Sequence, residues 1–160
     1  MAHIHEIFIS PSSNYWSHKV GTPGKAPTHT PQEIEAHAGA GLVGDRFYEF
    51  KENYQGQVSF MELEALEELK KMGGSEVSNS VFRRNIIISG VDPLILIGKE
   101  FKIGTAKFKG CVDCTPCAWM DFAAGDGAFN WLNENNKGGL RAQILESGTM
   151  KIGDSLTILT

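Results

Sequence analysis

Three cysteines fall within seven positions, in the stretch GCVDCTPCAWM from Gly110 to Met120. Cysteines placed so closely could hold a structural metal, exchange electrons as a dithiol, or include one sulfur acting singly. A thiolate of the last kind serves as a nucleophile or as a ligand for a soft metal. The residues around the three sulfurs discriminate among these chemistries.

A structural zinc site takes four ligands, usually as two separated pairs. Cys111, Cys114 and Cys117 form one group, and all five histidines (His3, His5, His18, His29, His37) lie in the first quarter of the chain. An iron–sulfur cluster lacks its usual fourth cysteine in the same way. Cys114-Thr-Pro-Cys117 has the C-x-x-C form of redox pairs, although the βαβ pattern that surrounds such pairs in thioredoxin-like folds is missing. A disulfide between these two cysteines stays open. The third chemistry rests on a predicted helix start. Thr115 is a good N-cap and Pro116 a favoured first residue, which places Cys117 in the first turn, where free backbone N–H groups favour an anion. Against it stands a cysteine buried as a small hydrophobe, and sequence physics alone leaves the two level.

Several segments carry groups suited to an anion. GLVGDRF (Gly41 to Phe47) sets a glycine turn before Asp45 and Arg46, a guanidinium able to grip a phosphate with a carboxylate orienting it. FRRNIII (Phe82 to Ile88) puts Arg83 and Asn85 at the start of an apolar strand, where Asn85 could both donate to and accept from a heterocycle. NKGGLRAQ (Asn136 to Gln143) adds a glycine pair and Arg141, and Lys25 lies in an early loop. Taken singly, each also reads as a surface turn or ordinary strand-end solvation.

These residues need a frame. At 160 residues, with 41% hydrophobic and 21% charged residues, the chain is expected to form one domain spanning 1–160 with a substantial core. A net charge of −4 argues against general nucleic-acid binding, and no apolar run reaches bilayer-spanning length. The start MAHIHEIFIS has no secretory h-region, so a reduced, cytoplasmic protein is expected. Ile4 to Ile9 reads as an opening strand, and residues 11–32, rich in Pro, Gly, Ser and Thr, as a long loop. IEAHAGAGLVGDRFYEF reads as strand, turn and strand. Ser59 and Glu62 have the spacing of a capping box, followed by Leu63, Leu66 and Leu69 at helical spacing and a stop at Gly73. RRNIIISG, LILIGKEFKIG, TAKFKGCV, LRAQILESG and DSLTILT read as short strands. Many strands and few helices predict an α+β, mainly β fold resembling a barrel.

In this order, GLVGDRF, QVSF, RRNIIISG, IGKEFKIG, the Pro-Cys of CVDCTPC, GGLRAQILESG and the closing KIGD resemble the MOSC family, named for the C-terminal domain of molybdenum-cofactor sulfurases. The resemblance implies a MOSC-type β-barrel with a few peripheral helices. It matches the family's characteristic cysteine to Cys117, which ligates molybdenum in metal-bearing relatives. It implies Arg46 and Lys25 facing a pterin phosphate, Arg83 and Asn85 lining the slot, and Arg141 in the GGLRA-like segment. Relatives often have Arg at the position of Lys137. A molybdenum cofactor (molybdopterin) is therefore expected. No pyridoxal phosphate is expected, because the sulfurases carry it on a separate domain.

Two functions follow from the resemblance. One is reduction of N-hydroxylated small molecules at molybdenum held by Cys117, with a separate electron-transfer protein as partner, since no flavin or nicotinamide motif is present. The other is sulfur transfer, with a persulfide on Cys117 passed between donor and acceptor proteins and Cys114 as the resolving thiol.

Overall fold

A computed structural model describes residues 1–73 and 77–159. In chain order the elements are β1 (His3–Ile7), β2 (Glu33–His37), β3 (Gly41–Leu42), β4 (Val58–Glu62), α1 (Leu63–Gly73) and β5 (Ile86–Ser89). There follow β6 (Glu100–Ile103), β7 (Ala106–Asp113), α2 (Trp119–Ala124), α3 (Ala128–Glu134), β8 (Leu140–Glu146), β9 (Gly148–Lys151) and β10 (Leu156–Ile158). Seven strands form one sheet in the order β1-β5-β4-β8-β7-β6-β10, and β3-β2-β9 form a second. Every pairing is antiparallel except β4 with β5. The edges β1 and β10 approach each other through Ile4 N–H to Asp154 O and Leu156 N–H to Ala2 O, so the large sheet curls into a nearly closed barrel. The expected mainly-β α+β architecture is the observed one.

Side-chain alternation divides the apolar residues between two layers. Phe60, Ile86 and Ile88 point into the barrel with Phe101 and Phe108, whose rings lie 5.4 to 5.9 Å apart centre to centre. Met61 and Ile87, one position along, point outward and are covered by Leu66, Leu69, Phe82, Met120 and Leu132. Both faces of β4 and β5 are thus dry, which explains why their sequences are apolar runs rather than alternating ones.

Four local expectations are corrected. Ser59 does not cap a helix; it lies within β4, and α1 begins at Leu63. Val58 to Met61 are all buried between the two layers, and strand pairing satisfies that run where a helix cap would leave it exposed. Pro93–Leu96 is a 3-10 turn capped by Asp92 rather than part of a strand, as the fixed φ of Pro93 favours. RFYEF continues as turns, with Tyr48 N–H reaching Asp45 O and Glu49 N–H reaching Ala40 O. Finally, α2 starts at Trp119, two residues after Cys117, whose carbonyl accepts from Met120 N–H. The helix-start argument for Cys117 therefore fails.

Residues 11–32 contain no named strand or helix, though they are closely tied. The Asn14 amide pairs with Ala26 in both directions, donating to its carbonyl at 2.9 Å and accepting from its N–H at 2.8 Å. Ser13 Oγ accepts from the N–H groups of Tyr15 and Trp16. The Tyr15 hydroxyl donates to Val81 O, and its ring stacks on Trp119 at 4.5 Å. The loop is thereby folded over the start of α2.

Candidate functional site

Between this loop, the 3-10 turn Asn79–Phe82 and the segment before α2 opens a cleft of ≈ 350 Å³. Cys114, Cys117, Arg46, Arg83, Arg84 and Arg141 all line it, with Tyr15, Trp16 and Trp119 among the apolar residues. Residues far apart in the chain therefore converge where the sequence placed a single chemistry.

The sulfurs are unequal. Cys117 is exposed, Cys114 is only 4% exposed, and all three cysteines are free. Gly110 pairs with Ala142 while Val112 pairs with Arg141, so Cys111 is the extra residue of a β-bulge. Its thiol donates to Lys109 O outside the cleft lining, and burial pushes its pKa up against the opposing effects of Gln143 and Lys109. Beyond the bulge, Cys114 N–H donates to Gly139 O, and Arg141 Nε donates to Cys114 Sγ at 3.3 Å. Burial opposes the Arg141 charge, but its hydrogen bond to Cys114 and the charges of Cys114, Tyr54 and Asp113 outweigh this and raise its pKa.

Backbone carbonyls and buried oxygens aim the other arginines. Arg83 takes the left-handed conformation at φ 62°, which sends its side chain to Thr28 Oγ1 and Ser12 O in the folded loop. Arg46 Nη2 reaches Arg83 O, and Arg84 donates to Gly138 O and Phe82 O. Asp45 is buried and accepts from Ser10 N–H, Phe47 N–H and Arg46, fixing the glycine turn as well as its neighbour's charge. Burial chiefly pulls the Arg46 guanidinium below its usual range; Asp45 opposes this, and repulsion from Arg83 and Arg84 adds to it. Arg83 is lowered by burial too, against Tyr15 and Asp45. Burial raises the Tyr15 phenol, opposed by Arg83 and reinforced by Cys117. The buried Nε atoms of Arg46 and Arg83 have no partner. Four guanidiniums line the cleft, and of these, among the described residues, only Arg46 has a carboxylate salt-bridge partner, which leaves positive charge that an anion would offset.

Three of the expected site residues lie outside the cleft lining, the buried Asp45 of the glycine turn among them. Lys25 is exposed on the loop and does not line the cleft. Asn85 is buried beneath it, accepting from Ser59 N–H and Oγ and donating to Phe8 O, which uses its amide internally. Asn85→Ala should therefore destabilise the fold by about 2–4 kcal/mol, the cost of several unpaired buried polar groups. Chemical denaturation would measure this, and an unchanged midpoint would return Asn85 to a ligand role. Lys137 is also outside the cleft, held between Glu62 at 2.7 Å and Asp92 at 3.1 Å. Conversely, Arg84 stands out in sequence only as the second arginine of FRRNIII, and Tyr15 and Trp16 were not singled out. Arg84 adjoins Arg83, and only the backbone turn at Arg83 sends both side chains to one place.

Among solved structures the chain is similar to YuaD of Bacillus subtilis, with a TM-score of 0.71 at 15% identity over 98% of this chain and 94% of that one. It is similar also to YiiM of Geobacillus stearothermophilus, at 0.73 and 12% identity over 100% and 76%. YiiM of Escherichia coli gives 0.66 and 13% over 99% and 68%. At such identities these likenesses speak to the fold. No curated protein matches the chain. The MOSC domain model matches residues 35–157, from within β2 to within β10, which take in every barrel strand except β1, the cysteine segment and all four arginines of the cleft. The chain belongs to the MOSC domain family.

Proposed function

We propose that the cleft binds a molybdenum-bearing pterin cofactor, with Cys117 as the protein ligand to the metal, and that the protein reduces N-hydroxylated small molecules. The observation that carries this reading is one exposed sulfur sharing a cleft with Arg46, Arg83, Arg84 and Arg141. Among the described residues no group of three or more His, Cys, Asp or Glu could hold a metal ion. A metal at Cys117 must then arrive with most of its donors supplied by a ligand, as a pterin dithiolene supplies them. The unpartnered Nε atoms of Arg46 and Arg83 suit the anionic tail of such a ligand. The residues present fit the group.

In this reading the chain's own residues ligate, orient and balance charge. Cys117 would anchor the metal, and the guanidiniums already braced by protein partners would meet the phosphate. The Tyr15–Trp119 stack walls the cleft with apolar surface. When bound, the cofactor would supply the redox chemistry that removes the hydroxyl oxygen, with electrons returned by a separate protein.

Exposure of Cys117 with a second thiol in the same cleft favours sulfur transfer as the second reading. Metal analysis separates the two. Protein made in a host that synthesises the cofactor should retain molybdenum in stoichiometric amount through purification. Molybdenum-free protein carrying a persulfide on Cys117, read by mass spectrometry, would replace the first reading with the second.

A further inference from the structure

We infer that Cys114 is a resolving thiol, and that a peroxide closes Cys117 onto it as a reversible disulfide that withdraws Cys117 from the cleft's chemistry. The disulfide stands on the two cysteines alone; only its effect on a metal rests on the proposed function.

Three observations carry it. Both cysteines line one cleft, with Cys117 exposed to an incoming oxidant and Cys114 shielded behind it. Residues 114–117 belong to no helix or strand; Cys114 is held at its backbone by Gly139 O, while Thr115, Pro116 and Cys117 beyond it are paired in no strand ladder. Arg141 Nε points at Cys114 Sγ from 3.3 Å, a cation placed to hold that sulfur and balance its charge when it acts as the nucleophile. Cys111 is excluded as partner by its place in the bulge and its bond to Lys109 O.

The chemistry balances with hydrogen peroxide as the oxidant. The Cys117 thiolate attacks one peroxide oxygen; the S–O bond forms as O–O breaks, giving a sulfenic acid and hydroxide. The Cys114 thiolate then attacks the Cys117 sulfur; S–S forms as S–O breaks, and a second hydroxide leaves. Together the sulfurs lose two electrons and the peroxide gains two, ending as two waters once the thiol protons are counted. A dithiol reductant reverses the closure by exchange.

The test uses the full chain, treated with hydrogen peroxide and cleaved before Asp113 and Asp121. The peptide Asp113–Met120 then contains Cys114 and Cys117 and excludes Cys111. Wild-type peptide should lose the mass of two hydrogens, resist alkylation, and recover both properties on reduction. In Cys114→Ser the disulfide should be lost and a trappable sulfenic acid should persist on Cys117. Arg141→Gln keeps both cysteines, and closure should slow enough for the trap to compete; Arg141→Lys should restore part of the rate. Cys111→Ser should close like wild type. Free Cys114 after oxidation of the wild type, or identical Cys117 products with and without Cys114, would overturn the inference. So would loss of closure in Cys111→Ser. None of these outcomes depends on molybdenum being bound.

Discussion

Cys117→Ser should leave the protein without molybdenum while its thermal unfolding stays close to wild type. The two halves of that expectation have separate causes. Serine offers a hard, protonated oxygen in place of a soft anionic sulfur, so the metal ligation proposed for Cys117 would be lost. Because Cys117 is exposed and belongs to neither apolar cluster, its replacement should change stability by no more than about 0.5 kcal/mol. Cys114→Ser is the informative control. It removes a shielded sulfur that Arg141 holds, and the metal should remain. Elemental analysis beside calorimetry would decide the matter. Molybdenum retained at the wild-type level in Cys117→Ser would remove the ligand assignment.

The second large effect is expected from Gly138→Ala, where the smallest side chain meets immovable backbone. A Cβ at Gly138 would fall inside the contact distance of the Cys114 carbonyl oxygen and press on the Pro116 ring as well. Its neighbour Gly139 has φ 109° and sits against the Phe60 carbonyl, so the strain cannot be passed along the chain. Gly138 O also accepts from Arg84, which ties the displacement to the cleft. We expect a loss of about 3 kcal/mol, at the upper end for overpacking because backbone rather than side chain must move. Chemical denaturation would measure it, and faster alkylation of Cys114 would report the opened segment. A denaturation midpoint within error of wild type would show that the two segments are free to part.

The glycine pair, the arginines and the cysteine segment were all legible as residues in sequence, because each is a short run of unusual chemistry. Their convergence was legible only through resemblance to a family. What composition and spacing misread has a common cause: local signals competing with burial. Ser59 and Glu62 have the spacing of a capping box, yet the Val58–Met61 run that contains Ser59 is dry on both faces and pairs as a strand. Thr115-Pro116 has the form of a helix start, but the chain first crosses to dock Trp119 against Tyr15, and the helix begins there. Asn85 has the donors and acceptors of a ligand-binding amide, and they are consumed by Ser59 and Phe8, partners distant in sequence. Tyr15 and Trp16 carry no periodicity or motif, and their place beside the sulfur is set by the tertiary fold alone.

That loop has one more implication. Trp16 stands 82% exposed at the mouth of the cleft, on a segment that precedes the residues matched by the family model. The base of the segment is cinched by the Ile9–His29 backbone pair, by Ser10 Oγ donating to Pro27 O, and by the Asn14 amide, which mimics a paired peptide against Ala26. Such a flap behaves as an interchangeable cassette. Its tip can be lengthened, shortened or recoded at a slowly growing entropic cost, while the barrel and its charged pocket keep their geometry. What the cleft admits can then diverge independently of the charged groups that line its floor.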